Sequence, residues 1–142
     1  FKGKINSKIL NQLMSDKYFR KKKNKSLDRN YFSLKPFIKL NFSDACATIS
    51  AFTALTIIKE VNRFNAKYLI VSGGGSKNKH MINLMQETFK GNILTADHLK
   101  LNSDFIESQA FAYLGIRRIK NLPISFPSTT GVKYAVSGGN VN

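Results

Sequence analysis

Three consecutive glycines, Gly73, Gly74 and Gly75, follow an apolar run that begins at Lys67, and an amphipathic segment begins directly after them. Glycine adopts positive φ and has no side chain, so such a turn can bring backbone N–H groups close to a ligand. The start of the following helix adds unpaired N–H groups and the positive end of the helix dipole. The pattern indicates a phosphate or nucleotide site, and a tight strand-to-helix connection without a ligand is the alternative.

The glycine turn matches neither of two common nucleotide signatures. A Walker A loop requires Gly-x-x-x-x-Gly-Lys-Ser/Thr, and Lys77 after Ser76 does not complete that pattern. A dinucleotide fingerprint beginning at Gly73 requires a third glycine where Asn78 stands. Asp97 could supply the acidic residue that this fingerprint expects after the second strand. The local residues therefore assign the turn to neither class.

The carboxylate of Glu107 is a second candidate group. Glu107, Phe111 and Leu114 are spaced i, i+4 and i+7, so the carboxylate shares one helical stripe with an aromatic and an aliphatic side chain. A carboxylate on a partly buried surface must be paired, hydrogen-bonded or used for function. Spacing alone favours an ion pair with one of the many cationic side chains over a ligand-binding role.

The cysteine and histidine content excludes several classes of site. Neither His80 nor His98 has a cysteine, histidine or carboxylate at metal-ligand spacing, so no metal site is predicted. The lone cysteine, Cys46, excludes a disulfide within the chain, fits a reducing compartment and is expected to be a small buried residue rather than a nucleophile. The most apolar window, residues 45–58, is too short to cross a bilayer.

The elements that must position these groups alternate between helix and strand. Predicted helices span about residues 6–15, 43–65, 76–89 and 103–121, and predicted strands span 67–72 and 92–95. The first strand is nearly all apolar, which predicts a central position covered on both faces. Strand, helix, strand and helix in this order predict an α/β fold with parallel pairing and right-handed crossovers.

Caps and apolar spacing refine the long helix. Ser43 and Ser76 are the expected amino-terminal caps of their helices. The small side chains of the long helix predict close packing against a sheet or another helix; they are Ala45, Ala47 and Ala51. Larger side chains are expected near one face, namely Ile49, Phe52, Thr56 and Phe64. Residues 17–39 are predicted to be irregular, and Pro36 argues against a helix there.

Positive charge is concentrated near the amino terminus. The chain has 142 residues and a net charge of +15, and residues 1–40 carry a disproportionate share of it. The densest basic run spans residues 20–25, and aromatic residues stand on both sides of it: Tyr18, Phe19, Tyr31 and Phe32. Such interleaving is compatible with single-stranded nucleic acid, through phosphate contacts and base stacking. Because lysine and asparagine are abundant throughout, a solvated loop is favoured and the role of this run stays open.

The length and composition fit one globular domain. Hydrophobic residues make up 42% of the chain, which is enough to bury a core, and no internal repeat is present. The first residues, beginning at Phe1, contain neither an initiator methionine nor a signal-peptide pattern. We therefore expect the chain to be part of a longer protein.

Four blocks of the sequence together resemble the carboxy-terminal lobe of the anhydro-N-acetylmuramic acid kinase family, over essentially all 142 residues. The blocks are Lys17-Tyr-Phe-Arg20 with Lys25-Ser-Leu-Asp-Arg29, Tyr68-Leu-Ile-Val-Ser-Gly-Gly-Gly-Ser-Lys-Asn78, Thr95-Ala-Asp97 with Asp104-Phe-Ile-Glu-Ser-Gln-Ala-Phe-Ala-Tyr-Leu114, and Asn121-Leu-Pro123 with Pro127-Ser-Thr-Thr-Gly131. The sequence departs from the family at residues 21–24, where members commonly carry prolines, and at Leu27-Asp28, where many have Thr-Gly.

The resemblance implies an α/β fold, the carboxy-terminal lobe of a two-lobed actin-like (ribonuclease H-like) sugar kinase with mostly helices packed on a small sheet. Residues 1–142 would form this lobe, with a basic, partly irregular segment at 1–40 and an α/β core at 41–142, and the amino-terminal lobe would be absent. The glycine turn of Gly73, Gly74 and Gly75 would approach the nucleotide. Asn78 would stand beside it at the helix start, and Glu107 would face the sugar in the cleft.

The resemblance also implies an activity. The full-length protein would be a cytoplasmic bacterial enzyme of peptidoglycan recycling, using ATP and Mg²⁺ to convert 1,6-anhydro-N-acetylmuramic acid into N-acetylmuramic acid 6-phosphate, as a homodimer without a membrane partner. Its general base would be an aspartate in the absent lobe, so this chain would hold no catalytic residue and be inactive alone. The alternatives are another actin-fold sugar kinase or a basic nucleic-acid-binding module.

Overall fold

The structure, a computed structural model, describes residues 3–21, 27–28 and 30–140. Within these ranges α1 spans Ser7–Met14, α2 Phe42–Val61, α3 Lys79–Thr88, α4 Ile106–Ile119 and α5 Pro127–Thr130, and strands β1 and β2 span Tyr68–Val71 and Asn92–Thr95. The chain divides into two compact units. The first comprises Phe1–Val71 with Gly75–Leu94, and the second comprises Ser72–Gly74 with Thr95–Asn142.

The first unit is built on the small-residue face of α2. Ala47 and Ala51 are fully buried, and both α1 and α3 pack against this helix. The prediction of close packing is therefore confirmed, because small side chains let helix backbones approach one another. The predicted inclusion of Phe64 in one face of this helix is wrong, because Phe64 lies beyond the end of α2 and is 79% exposed. The core instead joins α2 to α3 through Ala54, Ile58, Met85 and Phe89.

Asparagines cap the two central helices of this unit. The side chain of Asn41 accepts a hydrogen bond from Asp44 N at 2.9 Å, and α2 begins at the next residue. The side chain of Asn78 accepts a hydrogen bond from Met81 N in the same way, and α3 begins at the residue after it. The predicted caps, Ser43 and Ser76, are wrong by two residues in each case. Asparagine and serine cap equally well, so the pattern of residue types could not separate them.

The sheet contains two parallel strands, β1 beside β2, in the part of the chain that is described. Leu69 and Val71 pack against the α2–α3 core, whereas Tyr68 and Ile70 on the other face are 61% and 51% exposed. The prediction of a central strand covered on both faces is therefore wrong for this chain. An apolar run does not by itself reveal whether its second face is covered. The coarser prediction of an α/β fold is compatible with helices around a small parallel sheet.

The described part of residues 17–39 contains short 3₁₀ turns and no α-helix, as predicted. Pro36 lies in one of them, Lys35–Phe37, close enough to its start that the missing N–H breaks no bond. In the basic run, residues 22–26 and Arg29 lie outside the described residues. The aromatic residues around it pack on one another and on Phe52; they are Tyr18, Phe19, Tyr31 and Phe32.

The free thiol of Cys46 lies on α2 and is half-buried rather than fully buried. Its helix is the longest of those described, with 20 residues.

Within the described ranges, no helix combines the length and the apolar character needed to cross a membrane.

The amino-terminal segment lies against the first turns of α2. Lys4 N donates to Asp44 Oδ1 at 2.6 Å, and Asn6 N donates to Thr48 Oγ1 at 2.9 Å. A Cβ atom added at Gly3 would overlap the backbone oxygen of Ser43. Glycine at this position is therefore required by the close approach of two backbones.

We expect Gly3→Ala to lower the free energy of unfolding of the 142-residue chain by about 1–3 kcal/mol, because the added methyl group must push the segment away from α2. Urea unfolding measures this change. Gly115→Ala is the control, since a Cβ there meets no atom within 4 Å. Within α4 it should leave stability unchanged or raise it by about 0.5–1 kcal/mol. Equal stability of Gly3→Ala and the unmodified chain would contradict the close approach.

Candidate functional site

The glycine turn follows β1, and Gly74 and Gly75 form the first half of the 3₁₀ turn Gly74–Lys77 that precedes α3. Gly73 has φ +72°, in the left-handed region that glycine adopts without strain. A Cβ added at Gly74 would meet no atom within 4 Å, whereas one added at Gly75 would lie 3.1 Å from Met81 Cε. Packing within the described residues therefore does not require glycine at position 74. Open space over a bare backbone is what a ligand needs for close approach.

The predicted position of Asn78 at the start of α3 is confirmed. Its Oδ1 accepts from Met81 N at 3.2 Å, and its backbone N–H donates to Gly75 O at 3.1 Å. The cap uses only the acceptor of the side-chain amide. The Nδ2 group is therefore a hydrogen-bond donor that the cap does not consume.

A pocket of about 380 Å³ lies wholly within the second unit. Its lining residues are Ser72, Gly73, Gly74, Ser103, Asp104, Ile106 and Glu107. The pocket thus brings two of the three predicted nucleotide-binding glycines together with the predicted sugar-binding glutamate. The remaining two predicted residues, Gly75 and Asn78, belong to the first unit and do not line it.

Glu107 is an exposed residue in the first turn of α4. Among the described residues it forms no ion pair, and its stripe partner Phe111 is 67% exposed. The sequence had favoured an internal ion pair, and the described part of the chain provides none. A carboxylate at the start of a helix interacts favourably with the helix dipole. Glu107 is therefore an exposed residue of the pocket, with no ion-pair partner among the described residues.

Ser103 is a pocket residue that sequence reasoning missed. It is 5% exposed, and its backbone N and Oγ both donate to the carboxylate of Asp97. Asp97 had been considered as the acidic residue of a dinucleotide site, but in this structure its carboxylate binds within the chain. A serine at the start of the predicted helix 103–121 was the available signal, and the hydrogen-bond partner of that serine is set by tertiary structure.

The described residues contain no group of three His, Cys, Asp or Glu side chains that could hold a metal ion. Two carboxylates, those of Asp104 and Glu107, do meet at the pocket. Proteins commonly bind Mg²⁺ through one or two carboxylates, with phosphates and water completing the shell. The donor set therefore fits a metal that arrives with a phosphorylated ligand better than a resident ion.

Comparison with known proteins relates the whole chain to one family. The family model for anhydro-N-acetylmuramic acid kinase matches residues 1–142. Proteins named anhydro-N-acetylmuramic acid kinase from Zymomonas mobilis and Methylorubrum populi are each 36% identical to the chain over 143 residues. The protein of that name from Caulobacter vibrioides is 38% identical over 141 residues. These alignments cover 99%, 99% and 98% of this chain but only 39%, 38% and 38% of the relatives.

Proposed function

The chain belongs to the anhydro-N-acetylmuramic acid kinase family, and on this basis we propose that it is the carboxy-terminal, nucleotide-binding lobe of an actin-like sugar kinase. The full-length protein would use ATP to convert 1,6-anhydro-N-acetylmuramic acid into N-acetylmuramic acid 6-phosphate. The observation that carries the proposal is the pocket in which Gly73 and Gly74 meet Glu107. It supplies a bare backbone for phosphates and a carboxylate for a hydroxylated substrate within one volume.

The nucleotide end of the site would use mainly backbone groups, together with the side-chain amide of Asn78. Gly73 supplies the left-handed turn, and Gly74 supplies an approach that no Cβ obstructs. Gly75 and the Nδ2 group of Asn78 would add donors at the start of α3, where the helix dipole favours an anion. Mg²⁺ would enter with the phosphates and neutralise part of their charge.

The sugar end of the site uses Glu107. Its two acceptor oxygens would bind hydroxyl or amide N–H groups of the sugar and so orient the anhydro bridge toward the phosphates. In the proposed reaction, water would add to the anomeric carbon and lose a proton to the general base, the bridge oxygen would leave that carbon, and the released oxygen would attack the γ-phosphorus of ATP so that ADP leaves. The general base that activates the water, an aspartate, would lie in the part of the family's length that this chain does not span. This chain binds and positions the reactants.

The test uses what we call the full-length kinase, the natural longer protein that contains residues 1–142, and the intact Zymomonas mobilis relative is assayed beside it. In a coupled assay we expect ADP release with the anhydro sugar and none with a plain hexose, and the intact relative is the positive control. The isolated 142-residue chain should not turn over ATP. Activity on a hexose without activity on the anhydro sugar would contradict the substrate, and turnover by the isolated chain would contradict the lobe assignment.

The same membership leads us to propose that the full-length kinase is a cytoplasmic homodimer. The exposed apolar residues Ile116 and Ile119 on α4 support a surface that is covered in the longer protein. Light scattering should give twice the mass of one chain. A monomer at micromolar concentration would contradict this proposal.

The basic nucleic-acid-binding alternative makes an opposite prediction for the 142-residue chain. The aromatic rings that flank the basic run pack on one another, with Phe19 and Phe32 stacked at 5.9 Å, so they are already used within the first unit. We expect no sub-micromolar binding of a single-stranded oligonucleotide at physiological salt. Fluorescence anisotropy at several salt concentrations measures this, with a log–log slope of about −0.7 per neutralised phosphate if contacts form. Tight binding that persists at physiological salt would favour the alternative.

A further inference from the structure

Asp97 does not line the pocket, but its carboxylate holds a residue that does. Oδ1 accepts from Ser103 N at 3.2 Å, and Oδ2 accepts from Ser103 Oγ at 2.5 Å. Ser103 is buried and forms part of the pocket wall. Hydrogen bonds to an ionised carboxylate are among the stronger ones in proteins. Asp97 therefore holds Ser103, and with it one wall of the pocket, in place from outside the pocket.

The two residues close a short loop that leads from β2 to α4. Inside the loop, Lys100 has φ +59°, and its N–H donates to Asp97 O at 3.0 Å. At the beginning of the loop, Oγ1 of Thr95 and Nδ1 of His98 lie 2.7 Å apart in a reciprocal cap. Hydrogen bonds thus hold both ends of the loop. The bonds of Thr95 and Asp97 O hold its start, and the bonds from Ser103 to the Asp97 carboxylate hold its end.

The start of α4 lacks a side-chain cap of its own, so the segment before it is held by the Asp97–Ser103 pair and by Asn102, whose Oδ1 accepts from Asp104 N at 3.0 Å. The N-cap residue is Phe105, whose side chain cannot accept a hydrogen bond from the first turn. The Asp97–Ser103 pair ends two residues before that cap, and Glu107 is the second residue of the helix. Glu107 lines the same pocket as Gly73 and Gly74, and the Asp97–Ser103 pair is one of the contacts that hold the chain leading to it.

We propose that Asp97 is a positioning residue for the kinase reaction, acting through Ser103 on the location of Glu107; this rests on the proposed function. It touches neither substrate itself. Its effect on turnover should pass through Glu107, so the effects of the two residues should not be additive.

In the full-length kinase, Asp97→Ala is expected to lower kcat/KM for the anhydro sugar by about 10- to 100-fold, because small misplacements of positioning groups are costly. Asp97→Asn should stay within about fivefold of the unmodified enzyme, since an amide can accept from the Ser103 N–H and donate to its Oγ. Asp16→Ala is the matched control. The carboxylate of Asp16 also accepts from a backbone N–H and a hydroxyl, those of Tyr18 and Tyr31, but in the first unit. The Asp16→Ala variant should leave kcat/KM for the anhydro sugar unchanged.

A double-mutant cycle separates positioning from general destabilisation. In an enzyme that already carries Glu107→Gln, Asp97→Ala should cost less than about threefold, because the interaction it supports has been removed. Multiplicative losses, or equal losses in Asp97→Ala and Asp16→Ala, would overturn the proposal.

Hydrogen exchange on the 142-residue chain tests the placement without any assay of activity. Asp97→Ala should increase amide exchange in residues 101–107 and leave α2 as in the unmodified chain. If Asp97→Ala unfolds the chain, Ser103→Ala removes only the Oγ bond and should give the same local pattern at smaller amplitude. A kinase that is inactive on the anhydro sugar would refute the proposed function but not this local result. Unchanged exchange in residues 101–107 would refute the role of Asp97.

Discussion

Replacing Glu107 with glutamine in the full-length kinase is expected to lower kcat/KM for the anhydro sugar by about one to two orders of magnitude, or about 1.4–2.7 kcal/mol of transition-state stabilisation. Glutamine nearly preserves the shape but removes the charge and replaces one acceptor oxygen with a donor. The residue lines the pocket and has no ion pair among the described residues, so the change should act on the ligand. Steady-state kinetics at saturating ATP measure it.

Thermal unfolding of the same variant distinguishes this role from a structural one. Because Glu107 is exposed and unpaired in the described chain, the melting temperature should change little or rise. Glu87→Gln is the matched control, since Glu87 is also an exposed glutamate on a helix, α3, and should affect neither property. A destabilised but fully active Glu107→Gln enzyme would exclude Glu107 from the sugar site.

Local sequence patterns predicted the elements better than their surroundings. The strand at residues 92–95 and the helix near residues 6–15 match β2 and α1, because apolar spacing and turn residues act over a few positions. The caps were misplaced because serine and asparagine cap helices about equally well, so residue type alone could not separate Asn41 from Ser43 or Asn78 from Ser76. Which of the two residues becomes the cap depends on where tertiary packing allows the helix to begin.

Burial was harder to predict than secondary structure because it depends on neighbours that are distant in sequence. Ile70 in β1 and Phe111 in α4 are apolar yet exposed in this chain. Their side chains indicate surfaces that need covering, and the chain spans less than two fifths of its relatives' length. Apolar patterning therefore did not predict which of these side chains are covered within this chain.

The candidate site was predicted in its individual residues but not in their relationship. Glycine turns and helix carboxylates each have a local signature, so Gly73, Gly74 and Glu107 could be named from sequence. That they line one pocket, and that Asp97 supports it through Ser103, follows from the fold. No spacing rule connects an aspartate after a strand to a serine six residues later.

The role of the glycine turn is tested most cleanly at Gly74. Gly74→Ala in the full-length kinase is expected to raise KM for ATP by at least about tenfold, because a methyl group would occupy the space that the phosphates need. The fold should tolerate the change, since the new Cβ meets no atom within 4 Å and φ at this position is not in the left-handed region. Titration of ATP in the coupled assay measures the effect, and thermal unfolding checks the fold.

Two further substitutions define how the result is interpreted. Gly73→Ala should also impair ATP use, but it forces alanine to φ +72° and should lower the melting temperature as well. Gly115→Ala has equally open space in the middle of α4 and should leave KM for ATP unchanged. If Gly74→Ala keeps both the normal KM for ATP and the normal melting temperature, the turn is a strand-to-helix connection that binds no nucleotide. A raised KM with an unchanged melting temperature is the result expected only if the backbone at Gly74 contacts the ligand, because nothing within the described protein competes for that space.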